Sequence, residues 1–131
     1  MPASEQFLVE TDIIADHLTF EGSAEEKSAL ENLMQKGLCF TTVLNSTELF
    51  FSIRNSEDRE KILAVLSALK VLGLHSRYSL HVHEFTGKVK TDRDALIAVT
   101  AKLNKLKIVT FDPRKYENSG LSVLIMKQKR G

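Results

Sequence analysis

The stretch Phe7-Leu8-Val9-Glu10-Thr11-Asp12-Ile13-Ile14 changes its hydrophobic period in the middle. Phe7, Leu8 and Val9 form a β-favouring apolar run that stops at charge, and Ile13, Ile14 and Leu18 then follow helical spacing. The segment reads as a strand feeding directly into a helix, with Glu10 and Asp12 at the junction. That junction matters because open α/β sheets place their sites beyond the carboxyl ends of their strands.

The same alternation continues along the chain. Ser23-Ala24-Glu25-Glu26 has the serine and glutamate at capping-box separation, which predicts a helix from Ala24 to Lys36 that ends at Gly37. Leu38 to Thr42 reads as a second strand, followed by a helical segment with Leu44, Glu48, Leu49, Phe51 and Ile53 that runs to about residue 54. Asn55 caps a helix carrying Ile62, Val65, Leu66 and Leu69, and Val71 to His75 forms a short strand. Residues 76–90 are ambiguous between helix and strand, because Tyr78, Leu80 and Val82 alternate whereas Leu80, Glu84 and Val89 do not. Thr91-Asp92-Arg93-Asp94 opens a further helix, Leu106 to Thr110 is a β-branched strand, Asp112-Pro113 begins a turn and Leu121 to Met126 is a final strand. Residues 127–131 are expected to form a mobile basic tail. Strands alternating with helices at this spacing require right-handed crossovers, which predicts an α/β fold with a mainly parallel sheet covered on both faces.

Composition sets the outer limits. The 131 residues are 43% apolar and 27% charged, as for one globular domain over 1–131 that buries enough surface to need no disulfide or structural metal. Cys39 has no partner in the chain and lies in an apolar run, so a core thiol in a reducing, cytoplasmic setting is expected. No apolar run exceeds five residues and no basic-then-apolar leader opens the chain, so neither a membrane span nor a signal peptide is expected. The net charge of +1 conceals a polarity. Residues 1–60 carry 12 acidic and 4 basic side chains, against 5 and 14 in residues 61–131. Such asymmetry suits a polyanionic partner and equally suits a mixed surface whose charges interleave on folding.

Acids fall repeatedly at the expected strand ends: Glu10 and Asp12 after the first, Glu48 in the helix after the second, Asp94 at the start of the helix before the fourth, and Asp112 after the fourth. Each also has a structural reading. Asp12 and Asp94 suit helix starts, and Asp112 before Pro113 suits a turn. Glu48 stands among apolar neighbours, so it either points outward or meets a cation. Gathered at one site, carboxylates repel, and a hard divalent ion such as Mg²⁺ or Mn²⁺ relieves that repulsion while activating water. His81 and His83 have no cysteine or third histidine nearby, no glycine-rich phosphate loop is present, and Ser46 and Ser79 lack an evident base. Lys88, Lys90, Arg93, Arg114 and Lys115 bracket two of the acids and are read either as phosphate contacts for RNA or as solvated loop cations.

Four of these segments resemble the motifs of the PIN-domain nucleases. Residues 7–14 are similar to that family's first strand, Thr41-Thr42-Val43-Leu44-Asn45-Ser46-Thr47-Glu48-Leu49 to its second motif, Asp94-Ala95-Leu96-Ile97-Ala98 to its third, and Val109-Thr110-Phe111-Asp112-Pro113-Arg114-Lys115-Tyr116 to its fourth. In size and layout the chain is similar to VapC-like toxin subunits of bacterial toxin–antitoxin modules. The resemblance implies a PIN-like three-layer α/β/α fold with four to five strands and a Mg²⁺- or Mn²⁺-dependent ribonuclease, homodimeric and held by a cognate antitoxin. Carried over by position, Glu10, Glu48, Asp94 and Asp112 are the catalytic and metal-binding acids, with Asp12 a further ligand and Thr110 ordering the fourth loop. The family has aspartate where Glu10 stands. The extra methylene implies attenuated cleavage, or a module that binds RNA or a protein partner without cleaving.

Overall fold

The computed structural model describes residues 5–128. Five strands, β1 (Glu5–Val9), β2 (Gly37–Thr42), β3 (Lys70–Leu72), β4 (Lys107–Thr110) and β5 (Val123–Ile125), form one sheet in the order β3-β2-β1-β4-β5. Every pairing is parallel. Five α-helices accompany them: α1 (Thr11–Leu18), α2 (Ala29–Lys36), α3 (Val43–Phe51), α4 (Ser56–Ser67) and α5 (Asp92–Asn104). Two 3-10 segments, Ser76–Phe85 and Pro113–Tyr116, complete the described chain.

The pleat of β1 divides the core. Phe7 and Val9 face Ile13, Ile14, Leu30, Leu33, Leu49, Ile62 and Val65 on one side, whereas Leu8 faces Ile97, Ala101, Ile108 and Tyr116 on the other. Both faces of a central parallel strand are therefore apolar, as a three-layer arrangement requires. Gly37 opens β2 directly beside Glu5, where a Cβ would fall 2.1 Å from the Glu5 carbonyl oxygen, so the close strand approach admits only glycine. Cys39 is buried as expected, and that burial raises its thiol pKa to about 11, leaving it protonated at neutral pH.

Several local expectations need correction. The helix expected from Ala24 begins at Ala29, because Ser28 and Glu31 form the complete capping box while Ser23 and Glu26 close only a turn. α3 stops at Phe51, three residues before residue 54, and β3 and β5 are shorter than their apolar runs. Residues 76–85, ambiguous between helix and strand in sequence, form a 3-10 helix anchored by Phe85 against Ala95, Ala98 and Val99 of α5. Of the expected tail, residues 129–131 lie outside the described residues. Among the described residues, no helix is long and apolar enough to cross a membrane.

Candidate active site

The chain leaves β1 for β2 on one side and later returns to β4 on the other, so the order reverses beside β1. This is the crevice in which parallel sheets bind ligands. Glu10 sits there as the residue preceding α1, its amide donating to the Val109 carbonyl at 3.0 Å. Its side chain is only 1% exposed. Thr42 caps α3 and so directs Asn45 and Glu48 into the same crevice; Thr91 caps α5 and presents Arg93 and Asp94.

Three acids from these separate segments meet one cation. The Arg93 guanidinium, 22% exposed, donates through Nη1 at 2.7 Å and Nη2 at 2.8 Å to the two Glu10 oxygens. It also donates through Nη2 at 2.7 Å and Nε at 3.2 Å to Glu48, and through Nη1 at 3.0 Å to Asp94. Paired N–H groups facing paired oxygens suit arginine's fixed fork. Glu10 additionally accepts from Asn45 Nδ2 at 2.9 Å and from the Tyr116 hydroxyl. The Thr11 hydroxyl donates to Glu48 at 2.6 Å.

Electrostatics follow from this arrangement. Burial opposes the charge on Arg93, but hydrogen bonds and attraction from Glu10 and Glu48 prevail and hold it firmly protonated. Burial and the adjacent Glu10 charge push the Tyr116 phenol far above its ordinary range, so it remains a donor. For Glu48, burial works against ionisation, yet bonds from Arg93 and Thr11 and the charge of Lys115 lower its pKa below the ordinary 4.5. Because the folded pKa is the depressed one, the stability Glu48 contributes is complete above the ordinary 4.5 and is lost as the pH falls from there through the lower folded value. Thermal melts between pH 7 and pH 3 are expected to show a declining Tm below about pH 4.5, with a smaller decline in Glu48→Gln. A wild-type Tm that rises on acidification would contradict the assignment.

The expected site residues separate into groups. Glu10, Glu48 and Asp94 come together as the sequence suggested. Asp12 does not join them: its Oδ2 accepts from the Thr110 hydroxyl at 2.7 Å and the Phe111 amide at 2.9 Å, while its buried Oδ1 has no hydrogen-bond partner among the described residues. Asp12 and Thr110 thus pin the loop after β4. Asp112 is exposed at the start of the second 3-10 segment, where its backbone amide donates to the Thr110 hydroxyl and its carbonyl accepts from the Lys115 amide. Arg93, read as a phosphate contact, instead lies among the acids. Lys88, Lys90 and Arg114 are exposed, and Lys115 is near enough to act on Glu48. Asn45 and Thr11 are site residues that the acid positions do not point to; the Thr42-x-x-Asn45 spacing of a reciprocal cap signals Asn45 alone.

The five acids expected to bind metal are therefore not assembled to do so. Among the described residues, no group of three His, Cys, Asp or Glu side chains is arranged to hold a metal ion. The donor set has the oxygen chemistry of a Mg²⁺ or Mn²⁺ site. Its geometry does not fit one, because Glu10, Glu48 and Asp94 already direct their oxygens at Arg93.

No curated protein sequence matches the chain at a significant level. Solved structures do resemble it. A toxin–antitoxin complex from Klebsiella pneumoniae contains a chain that is 17% identical with a TM-score of 0.73, the match covering 90% of this chain and 96% of that one. VapBC2 from Rickettsia felis, bound to a promoter DNA fragment, matches at 17% identity and a TM-score of 0.73 over 93% of this chain and 99% of that one. DNA-bound VapBC from Salmonella typhimurium matches at 21% identity and a TM-score of 0.69, covering 92% and 98%. At these identities the likeness establishes the fold. The model of the PIN domain matches residues 7–120, a span that runs from within β1 through β4 and contains all the acids of the crevice. On that match, the chain belongs to the PIN domain family.

Proposed function

We propose that this protein is the toxin-type nuclease of a toxin–antitoxin pair, a cytoplasmic ribonuclease that hydrolyses RNA phosphodiester bonds slowly. The observation that carries this reading is the convergence of Glu10, Glu48 and Asp94, from three segments far apart in sequence, on the crevice beside β1. PIN proteins are in general nucleases, and Mg²⁺ or Mn²⁺ is the cofactor this oxygen chemistry calls for. Exposed Lys88, Lys90 and Arg114, with Lys115 beside Glu48, supply cations to hold an RNA backbone across the crevice. An antitoxin protein is the proposed partner, since the structural neighbours are toxin–antitoxin complexes. A homodimer is proposed as well. Phe85 is absorbed by the core and Phe50 half-buried, but Phe51 is left 92% exposed on α3. Light scattering at high micromolar concentration checks the dimer; a monomer refutes it.

A second reading, an RNA- or protein-binding module that does not cleave, is favoured by the position of Arg93 among the acids. The two are separated by incubating labelled single-stranded RNA with the protein and Mn²⁺. Slow cleavage that EDTA and Asp94→Asn abolish is the result expected, and Glu10→Asp is expected to raise the rate about tenfold by withdrawing the carboxylate one methylene. RNA bound by anisotropy yet never cut supports the second reading. Cleavage that persists in Asp94→Asn places the activity elsewhere.

A further inference from the structure

We infer that Arg93 is a tethered counter-ion that stands where a divalent cation would, so that Glu10, Glu48 and Asp94 are neutralised from within the chain and hold Mg²⁺ or Mn²⁺ only when that side chain is displaced. The inference concerns which cation the acids hold and stands whether or not RNA is cleaved.

Three observations converge on it. The guanidinium donates to all three carboxylates, twice each to Glu10 and Glu48. Its backbone is fixed, because the Thr91 hydroxyl accepts from the Asp94 amide and so sets the first turn of α5 on which Arg93 rides. Glu10 is otherwise saturated: Tyr116 and Asn45 fill its remaining acceptor directions, and Thr11 takes one of those of Glu48. A cation attached to the same fold competes at an effective concentration on the order of millimolar or above. A free Mg²⁺ must in addition shed tightly held water and lie beside an arginine that remains protonated. Attachment and charge repulsion act in the same direction, against the free ion.

The test is calorimetric titration of Mn²⁺ into the wild-type chain and into Arg93→Gln, with Tm measured on the same samples. Wild type is expected to show no saturable binding below about 1 mM Mn²⁺ and no Tm change, whereas Arg93→Gln is expected to bind at least about tenfold more tightly and to gain about 5 °C with the ion. Equal affinities in the two proteins, or a folded Arg93→Gln that binds no Mn²⁺, would overturn the inference. A measurement on wild type alone guards against a variant that fails to fold. The guanidinium N–H resonances of Arg93 are expected to be resolved in NMR spectra and to stay unchanged up to about 10 mM Mg²⁺. Their release into fast exchange with solvent on adding Mg²⁺ would show that the ion readily displaces the side chain, and the inference would fall.

Discussion

Arg93→Gln is expected to lower the free energy of unfolding by about 3 kcal/mol, as measured by urea denaturation at neutral pH in the absence of divalent ions. Glu10 is 1% exposed, so water cannot replace the guanidinium that now faces it. Breaking a buried ion pair from one side costs about 3–5 kcal/mol, because the remaining charge stays desolvated. The lower end applies here: the Glu48 side chain is 42% exposed and recovers water when released. Mutual repulsion of the three acids adds to the loss. The double variant Arg93→Gln/Glu10→Gln removes the buried charge together with its cation and is expected to be more stable than Arg93→Gln alone, a non-additivity that isolates the pair. A single-variant loss below about 1 kcal/mol would mean that the bridge is solvated and worth no more than a surface contact.

Asn45→Ala is expected to cost a similar amount, about 3 kcal/mol, although Asn45 is neutral and belongs to none of the expected acid positions. Its side chain is fully buried. The Oδ1 atom accepts from the Thr42 amide at 3.0 Å and the Thr42 hydroxyl at 2.7 Å, while Nδ2 donates to Glu10 at 2.9 Å and to the Thr11 hydroxyl at 3.0 Å. Truncation strands polar groups on both sides, and each buried group left unpaired costs about 1–3 kcal/mol. Asn45→Asp separates the two halves of the role. Aspartate keeps the acceptor for Thr42 and places a second negative charge against Glu10, so it is expected to be destabilising as well. A near-neutral Asn45→Asp in urea denaturation would reduce the residue to a helix cap.

The elements that the sequence determined are those with local causes. Phe7, Leu8 and Val9 announce a central strand because no polar residue interrupts them, and both core clusters draw on that run. Asn55 and Thr91 announce helix starts because a cap bonds an amide three residues away. Where two local signals competed, tertiary packing chose. The box at Ser28 places Ala29, Leu30 and Leu33 in the core, whereas the Ser23 box yielded only a turn. Glu10, Glu48 and Asp94 were legible as a set because each follows from the same rule about strand ends and helix starts.

Only the tertiary structure decided what those acids hold. Arg93 precedes Asp94 and looks like a loop cation in sequence, but Glu10 and Glu48 lie 83 and 45 residues away from it. No local pattern encodes those separations; they close only when β1 is seated between β2 and β4. Asp12 and Asp112 lie apart from the other three acids for the same reason. The register that sets Val9 beside Val109 brings Asp12 to the Thr110 hydroxyl and the Phe111 amide, and it leaves Asp112 beyond the strand in solvent. Residue types and periods determined that acids would gather at the crevice, because burial and capping act within a few residues; strand order determined that a cation from the same chain would meet them there.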